Sequence, residues 1–295
     1  MSTKEVVLGF DMETDIGNYT PHYEGLTKGT PVILDILEEC GVPATFFFTG
    51  DSVKKHPEVV RMVKDRGHEI GSHTLFHETI GEALYDIPGD KPLLREEVPN
   101  RLRRCTEWIE EMAGVRPVSF RAPCLFGSTA VVNALEALGY VADATYPMFH
   151  FRDRLRPYHP SGDDWTQEGD LRIVELPNFA NLSMESTDPF GRDLDQWPVY
   201  RTDGADALLG HIEGFIGYCE ARGVSPFLCF YFHPWEFHPM PEGEISLEGE
   251  GYVRPDPFIV KNCGPYAAEQ LRILIRTLSG DGAVFLQARE AAAAL

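Results

Sequence analysis

No stretch approaches the ~18 consecutive apolar residues that a membrane-crossing helix needs, and no basic segment followed by an apolar core precedes Val6. A secretory leader is therefore not expected. The six cysteines (Cys40, Cys105, Cys124, Cys219, Cys229 and Cys263) form no Cys-x-x-Cys pair and lie far apart. In a chain of 295 residues that is 43% hydrophobic, they read as reduced core thiols, not as a disulfide framework. No Gly-x-Gly-x-x-Gly follows the first strand-like segment, which removes the main support for a dinucleotide-binding fold. No Ser/Gly/Pro tract divides the chain, so one domain over 1–295 is expected. Positive charge is scarce: 26 Lys and Arg stand against 46 Asp and Glu, a net charge of −20. That balance opposes encounters with nucleic acid, anionic membrane and polyanions. The expectation is a soluble cytoplasmic protein.

What is present is a repeated unit of helix, glycine and apolar strand. "TPVILDILEECGVPATFFFTG" places Pro31 in a first helical turn, Gly41 just past the helix end and a strand over 44–49. "DSVKKHPEVVRMVKDRGHEIGSH" repeats the unit with Asp51 or Ser52 as N-cap and Gly67 as the stop. It recurs around Gly139 and again around Gly223 before "FLCFYF". Further strands are expected at 5–12, 118–122, 172–177 and 283–287, and helices at 93–113 and 265–279. Alternating strands and helices imply parallel strands joined by right-handed crossovers. Strands apolar on both faces fit an α/β barrel or a doubly wound sheet. The long polar stretches near 144–170, 179–202 and 238–264 suit functional lids or interface elements.

Chemically capable residues recur at the carboxyl ends of these strands. Asp11 and Glu13 end the first, His73 and His77 follow "HEIGS", Arg121 follows "VSF", Asp143 follows "YVA", and His233 follows "FLCFYF". In a parallel barrel those ends converge on one face. Asp11 and Glu13, two apart on a strand, share a side. His73 and His77, four apart, have a spacing that can present two imidazoles to one metal, with a carboxylate as third ligand. Arg121 could hold a carboxylate ionised, and His233 has a setting suited to a general acid. Asp15 reads as a solvated or capping acid, Cys124 as packing, and His22 and His238 as possible substrate contacts.

Taken in order, "FDMET", "HEIGSHTLFH", "FRAPCLFG", "VADAT" and "FYFHPWEF" resemble the NodB-type polysaccharide deacetylases, carbohydrate esterase family four. The resemblance implies a distorted (β/α)7 TIM-like barrel that hydrolyses a carbon–nitrogen bond other than a peptide bond. It implies Asp11 as base, His73 and His77 as zinc-binding pair, Arg121 as the residue orienting the base, His233 as acid and Asp143 as a supporting acid that tunes them. Secreted members carry two adjacent Asp; here the second position is Met12, and an intracellular branch with Asp-x-Asp or Asp-x-Glu is closer. That branch includes enzymes acting on small cyclic amides or imides, allantoinase-like activities among them. Glu13 then becomes the third ligand of a divalent metal, Zn2+ by expectation, although metal-independent members exist. Trp235, Phe126 and Tyr146 are expected at the substrate. The expected partner is a small-molecule or saccharide substrate, with homo-oligomerisation possible. The alternatives are a metal-independent cyclic amide or imide hydrolase and a non-catalytic binding relative.

Overall fold

Every residue of Val6–Met12 is buried, so the first strand, β1 (Glu5–Met12), is covered on both faces. The computed structural model describes residues 4–17, 19–87 and 91–295. In it β1 is the hub of a parallel sheet. One edge of β1 pairs with β7 (Phe227–Phe232), from Glu5 opposite Phe227 to Phe10 opposite Phe232. The other edge is shared, first with the C-terminal strand Val284–Leu286 and then with β2 (Thr45–Phe48). The sheet continues through β3 (Glu69–Ser72), β4 (Ser119–Phe120), β5 (Ala142–Asp143) and β6 (Val174–Glu175), all parallel. Beyond β6 the Phe179 N–H donates to the Cys229 carbonyl of β7 at 2.8 Å. The sheet thus curls nearly onto itself, a distorted barrel, which is one of the two arrangements that cover strands apolar on both faces.

The expected strands at 5–12 and 283–287 and the helix at 265–279 lie where the pattern put them, within a residue or two. Gly41 (φ 67°) and Gly139 (φ 82°) end their helices in the left-handed conformation, each N–H returning to carbonyls of the last turn. Two expectations need correction. The helix expected from 93 begins as an α-helix only at Val98, because Pro99 lacks an N–H and fits a first turn, not an interior. Neither Asp51 nor Ser52 caps the helix Gly50–Lys55; Thr49 holds that position without a side-chain bond. The first N–H groups of this helix instead meet the Thr74 and Leu75 carbonyls at 2.9 and 3.0 Å, which frees Asp51 to accept from the Tyr23 hydroxyl.

The long stretches are partly structured. A one-turn helix (Met148–Phe151) interrupts 144–170, another (Val199–Thr202) ends 179–202, and 238–264 carries a small hairpin of Ile245–Ser246 with Tyr252–Val253. Among the described residues no helix is long and apolar enough to cross a membrane.

Candidate active site

The pleat of β1 turns Met12 into the core under the helices, fully buried, while Asp11 and Glu13 face the opposite side, into a cavity of about 230 Å3. Arg121, wholly buried at the end of β4, donates from Nη1 to Asp11 Oδ1 at 2.9 Å. Its other donors reach the Ala144 and Phe230 carbonyls at 3.0 and 3.2 Å, and its guanidinium lies 4.5 Å from the Phe47 ring centroid. Gly9 makes this possible: a Cβ there would stand 2.2 Å from Nη1. Burial alone would pull the guanidinium's pKa down, but the Asp11 carboxylate and the other partners keep it raised.

Glu13, His73 and His77 form the second group. The His73 Nδ1 lies 2.8 Å from the Arg121 carbonyl. A carbonyl only accepts, so Nδ1 carries a hydrogen and the ring turns its Nε2 to Glu13 Oε2, 3.3 Å away. His77 adopts a left-handed backbone (φ 59°), as does Thr74 (φ 64°), and its Nε2 approaches the same oxygen at 2.6 Å. One ligand atom from each of the three lies within 4.8 Å of the others. Burial would raise the Glu13 pKa, but the charge of His77 and the imidazole contacts outweigh it and hold the carboxylate well below its usual range. His77 is raised in turn, the field of Glu13 prevailing over desolvation.

His233 leaves β7 toward the same cavity. Its Nδ1 lies 2.9 Å from Glu236 Oε1, which also accepts the His233 backbone N–H at 2.9 Å. Glu236 is fixed from behind by Arg201 Nε at 2.6 Å, both side chains being fully buried. Arg201 goes on to donate to the carbonyls of Phe258, Ile259 and Lys261. The imidazole stacks on Trp235, ring centroids 5.2 Å apart, and its Nε2 stands 3.9 Å from Glu13 Oε1. Desolvation lowers the His233 pKa, but the bond to Glu236 and the charge of Glu13 raise it by more.

Other expected residues fall elsewhere. The register sets Asp143 between Phe120 and Glu175, its bonded partners are the Thr145 hydroxyl and the Glu175 carboxyl, and Arg121 reaches it through its field. Burial raises Asp143 to about 7, and burial with the neighbouring charge raises Glu175 well above its ordinary value. Trp235 lines the cavity. Phe126 and Tyr146 do not, a correction to their expected substrate contact: Phe126 packs against Tyr85, and Tyr146 joins an aromatic cluster with Phe151, Tyr158 and Trp165. His22 bonds the Ser246 carbonyl and His238 faces Glu24, both outside this cavity. Asp15 is buried, not solvated, and caps the Glu24 and Gly25 N–H groups.

Glu236, Arg201 and Glu175 were not anticipated. Glu236 had a readable signal, three residues after His233 in a capping-box spacing. Arg201 and Glu175 had none, since only folding brings them near their partners.

The comparisons with known proteins agree with the geometry. Residues 1–142 match the family described as Polysaccharide deacetylase. The chain is 29% identical over 145 residues to a peptidoglycan-N-acetylglucosamine deacetylase of Bacillus cereus, covering 49% of this chain and 58% of that protein. It spans between 36% and 58% of the lengths of the first relatives it matches. Among solved structures, one from Mycobacterium smegmatis assigned to the polysaccharide deacetylases is 24% identical, with a TM-score of 0.62, covering 99% of this chain and 90% of that one. An allantoinase is 14% identical, with a TM-score of 0.60, covering 98% and 89%. These likenesses establish the shared fold.

Proposed function

We propose that this chain, whose residues 1–142 match the Polysaccharide deacetylase family, hydrolyses a non-peptide amide bond by metal-assisted de-N-acylation, with Asp11 as base and His233 as acid. One observation carries the reading: the Arg121-paired Asp11, the Glu13–His73–His77 group and the Glu236-paired His233 all border one small cavity.

The residues fit a divalent cation. Glu13 Oε2 is buried with no hydrogen bond of proper geometry, and His73, anchored through Nδ1, turns its Nε2 toward it. Two imidazoles and one carboxylate suit Zn2+ with a position left open. Such an ion, when bound, supplies Lewis-acid polarisation of the amide carbonyl and a more acidic water. Asp11, which lines the cavity, accepts the proton of the attacking water, while Arg121 fixes its position through Oδ1. His233, with Nδ1–H bound to Glu236, delivers a proton from Nε2 to the departing nitrogen, without which an amine leaves poorly. Trp235 fixes the plane of that imidazole.

A second reading is supported by the cavity itself. About 230 Å3 walled by Tyr19, Tyr85, Trp197, Tyr231 and Phe258 suits a small amide, including a cyclic amide or imide, better than a polymer strand. Six cysteines outside any disulfide fit work in the reducing cytoplasm.

The test is a hydrolysis screen of N-acetylglucosamine oligomers and cyclic amides, each with chelator and with added zinc. Turnover of either class that needs zinc supports the proposal. Turnover untouched by chelator removes the metal from it, and no turnover of any amide sinks it. A separate binding measurement, equilibrium dialysis with zinc alone, should show about one equivalent lost in Glu13→Gln.

A further inference from the structure

We propose that Arg192 forms a carboxylate-recognition subsite in the cavity wall, selecting small amides that carry an anionic group close to the reacting carbonyl. The inference rests on the amide-hydrolase reading and names its substrate class.

Arg192 opens a short 3-10 turn (Arg192–Leu194) within the long segment between β6 and β7. The residue before it, Gly191, has φ 78°, and a Cβ there would come within 2.6 Å of the Phe149 carbonyl. The chain therefore passes close over Phe149 and lays the guanidinium on that ring, 5.0 Å from its centroid, with the Tyr85 ring at 5.5 Å. Two rings hold the planar fork in place. Nη1 donates to the Tyr85 hydroxyl at 3.1 Å and Nη2 to the Tyr231 hydroxyl at 3.0 Å. A guanidinium has five N–H donors. Even when the 3.4 Å approach of Nη2 to Asp195 is counted, two remain without an acceptor among the described residues.

Those donors belong to a side chain 23% exposed that lines the cavity. Arg192 is the sole Lys or Arg among the described lining residues. Its counter-ion, Asp195, is buried outside the cavity lining and is shared with the Tyr231 hydroxyl at 2.6 Å and the Gln196 N–H at 2.7 Å. A cation held flat, incompletely paired and turned to a small cavity has the geometry of a bidentate carboxylate receptor. It also sits close to the proposed chemistry, because the Tyr231 ring that it bonds is 5.8 Å from the His233 ring. One short molecule can therefore meet both. The net charge of −20 does not oppose this. Repulsion by distant surface charge is screened beyond about 8 Å at physiological salt, whereas the Arg192 fork acts at contact.

Isothermal calorimetry with succinamate and its neutral analogue succinamide, at fixed ionic strength, tests the subsite without turnover. The wild-type protein should bind succinamate roughly 10- to 100-fold more tightly. Arg192→Met should abolish that preference, the two probes then binding alike, and Arg192→Lys should retain part of it, with thermal unfolding verifying that both variants fold. Equal affinity for the two probes, no binding of succinamate by the wild type, or a preference that survives in Arg192→Met would each overturn the proposal. A succinamate preference without hydrolysis in the amide screen would support the subsite and refute the hydrolase reading. Hydrolysis of neutral amides with no succinamate preference would do the reverse.

Discussion

Asp11 and His233 reach the cavity through different supports, and their substitutions should differ accordingly. Asp11→Asn removes the proposed proton acceptor and also strips Arg121 of its only carboxylate partner among the described residues. It should lower kcat by about 10²–10⁴-fold and cost roughly 3–5 kcal/mol in stability, since a buried charge is left unpaired. His233→Ala should lower kcat over a similar range, with a smaller loss of stability because Glu236 keeps Arg201. Steady-state kinetics on an active amide, with urea unfolding alongside, separates the two. Near-normal turnover in either variant would remove that residue from the proposed chemistry. Glycine 9 is a residue-scale feature of the same pair. Gly9→Ala would place a methyl 2.2 Å from Arg121 Nη1, so it should cost about 1–3 kcal/mol by overpacking and depress kcat by shifting the guanidinium. Wild-type stability and kinetics in Gly9→Ala would show that Arg121 can move without consequence.

At the scale of elements, the end of β7 and the stretch 258–261 are tied together by one side chain. Arg201 leaves the one-turn helix Val199–Thr202, binds Glu236 beside His233, and ends on three carbonyls of that stretch. Because Phe258 and Ile259 line the cavity, this buried cation joins the proposed acid to part of the cavity wall. Arg201→Met should destabilise the protein by roughly 3–5 kcal/mol, the cost of stranding the Glu236 charge. It should also open 239–262 to limited proteolysis before the barrel unfolds. Cleavage there at the wild-type rate would show that the hairpin and loop contacts hold this region without Arg201. Repeated units of helix, glycine and strand built the rest of the element scale, and they were legible because Gly41 and Gly139 stop helices by a local backbone requirement.

For the whole molecule, the barrel interior contains a second acidic pair besides Asp11 and Glu13. Asp143 and Glu175 are completely buried side by side, and both are raised, Asp143 to about 7. The folded protein thus keeps protons that an unfolded Asp or Glu releases near pH 4. Their contribution to stability is complete below that pH and is lost as pH rises toward 7. Asp143→Asn replaces the shared proton with an amide. Its melting temperature should therefore gain on the wild type between pH 5 and pH 8, by roughly 2–4 °C for each kcal/mol recovered. A difference in melting temperature that stays flat across that range would place the pair's ionisation outside it.

The split between sequence and tertiary structure follows the range of the interactions. Period, glycine stops and runs apolar on both faces are local, so a parallel α/β sheet, barrel or doubly wound, and the carboxyl-end positions of Asp11, His73, Arg121 and His233 were legible before folding, while the choice of the barrel came from the family resemblance. The same-face spacing of Asp11 and Glu13 follows from the two-residue pleat, and burial of Met12 on the other face follows with it. Phe126 and Tyr146 show the limit, for proximity in sequence to a strand end says nothing of rotamer or neighbours, and both turned into the core. Asp143 shows it again: its strand end was correctly located, but register gave it Glu175 as neighbour. Glu175, Arg201 and Arg192 could be found only in three dimensions, because each acquires its meaning from charges more than 30 residues away or from rings that the fold brings beneath it. Local chemistry determined which residues could act. Packing decided which of them meet, since pKa, tautomer and ion pairing depend on distances that a one-dimensional pattern does not contain.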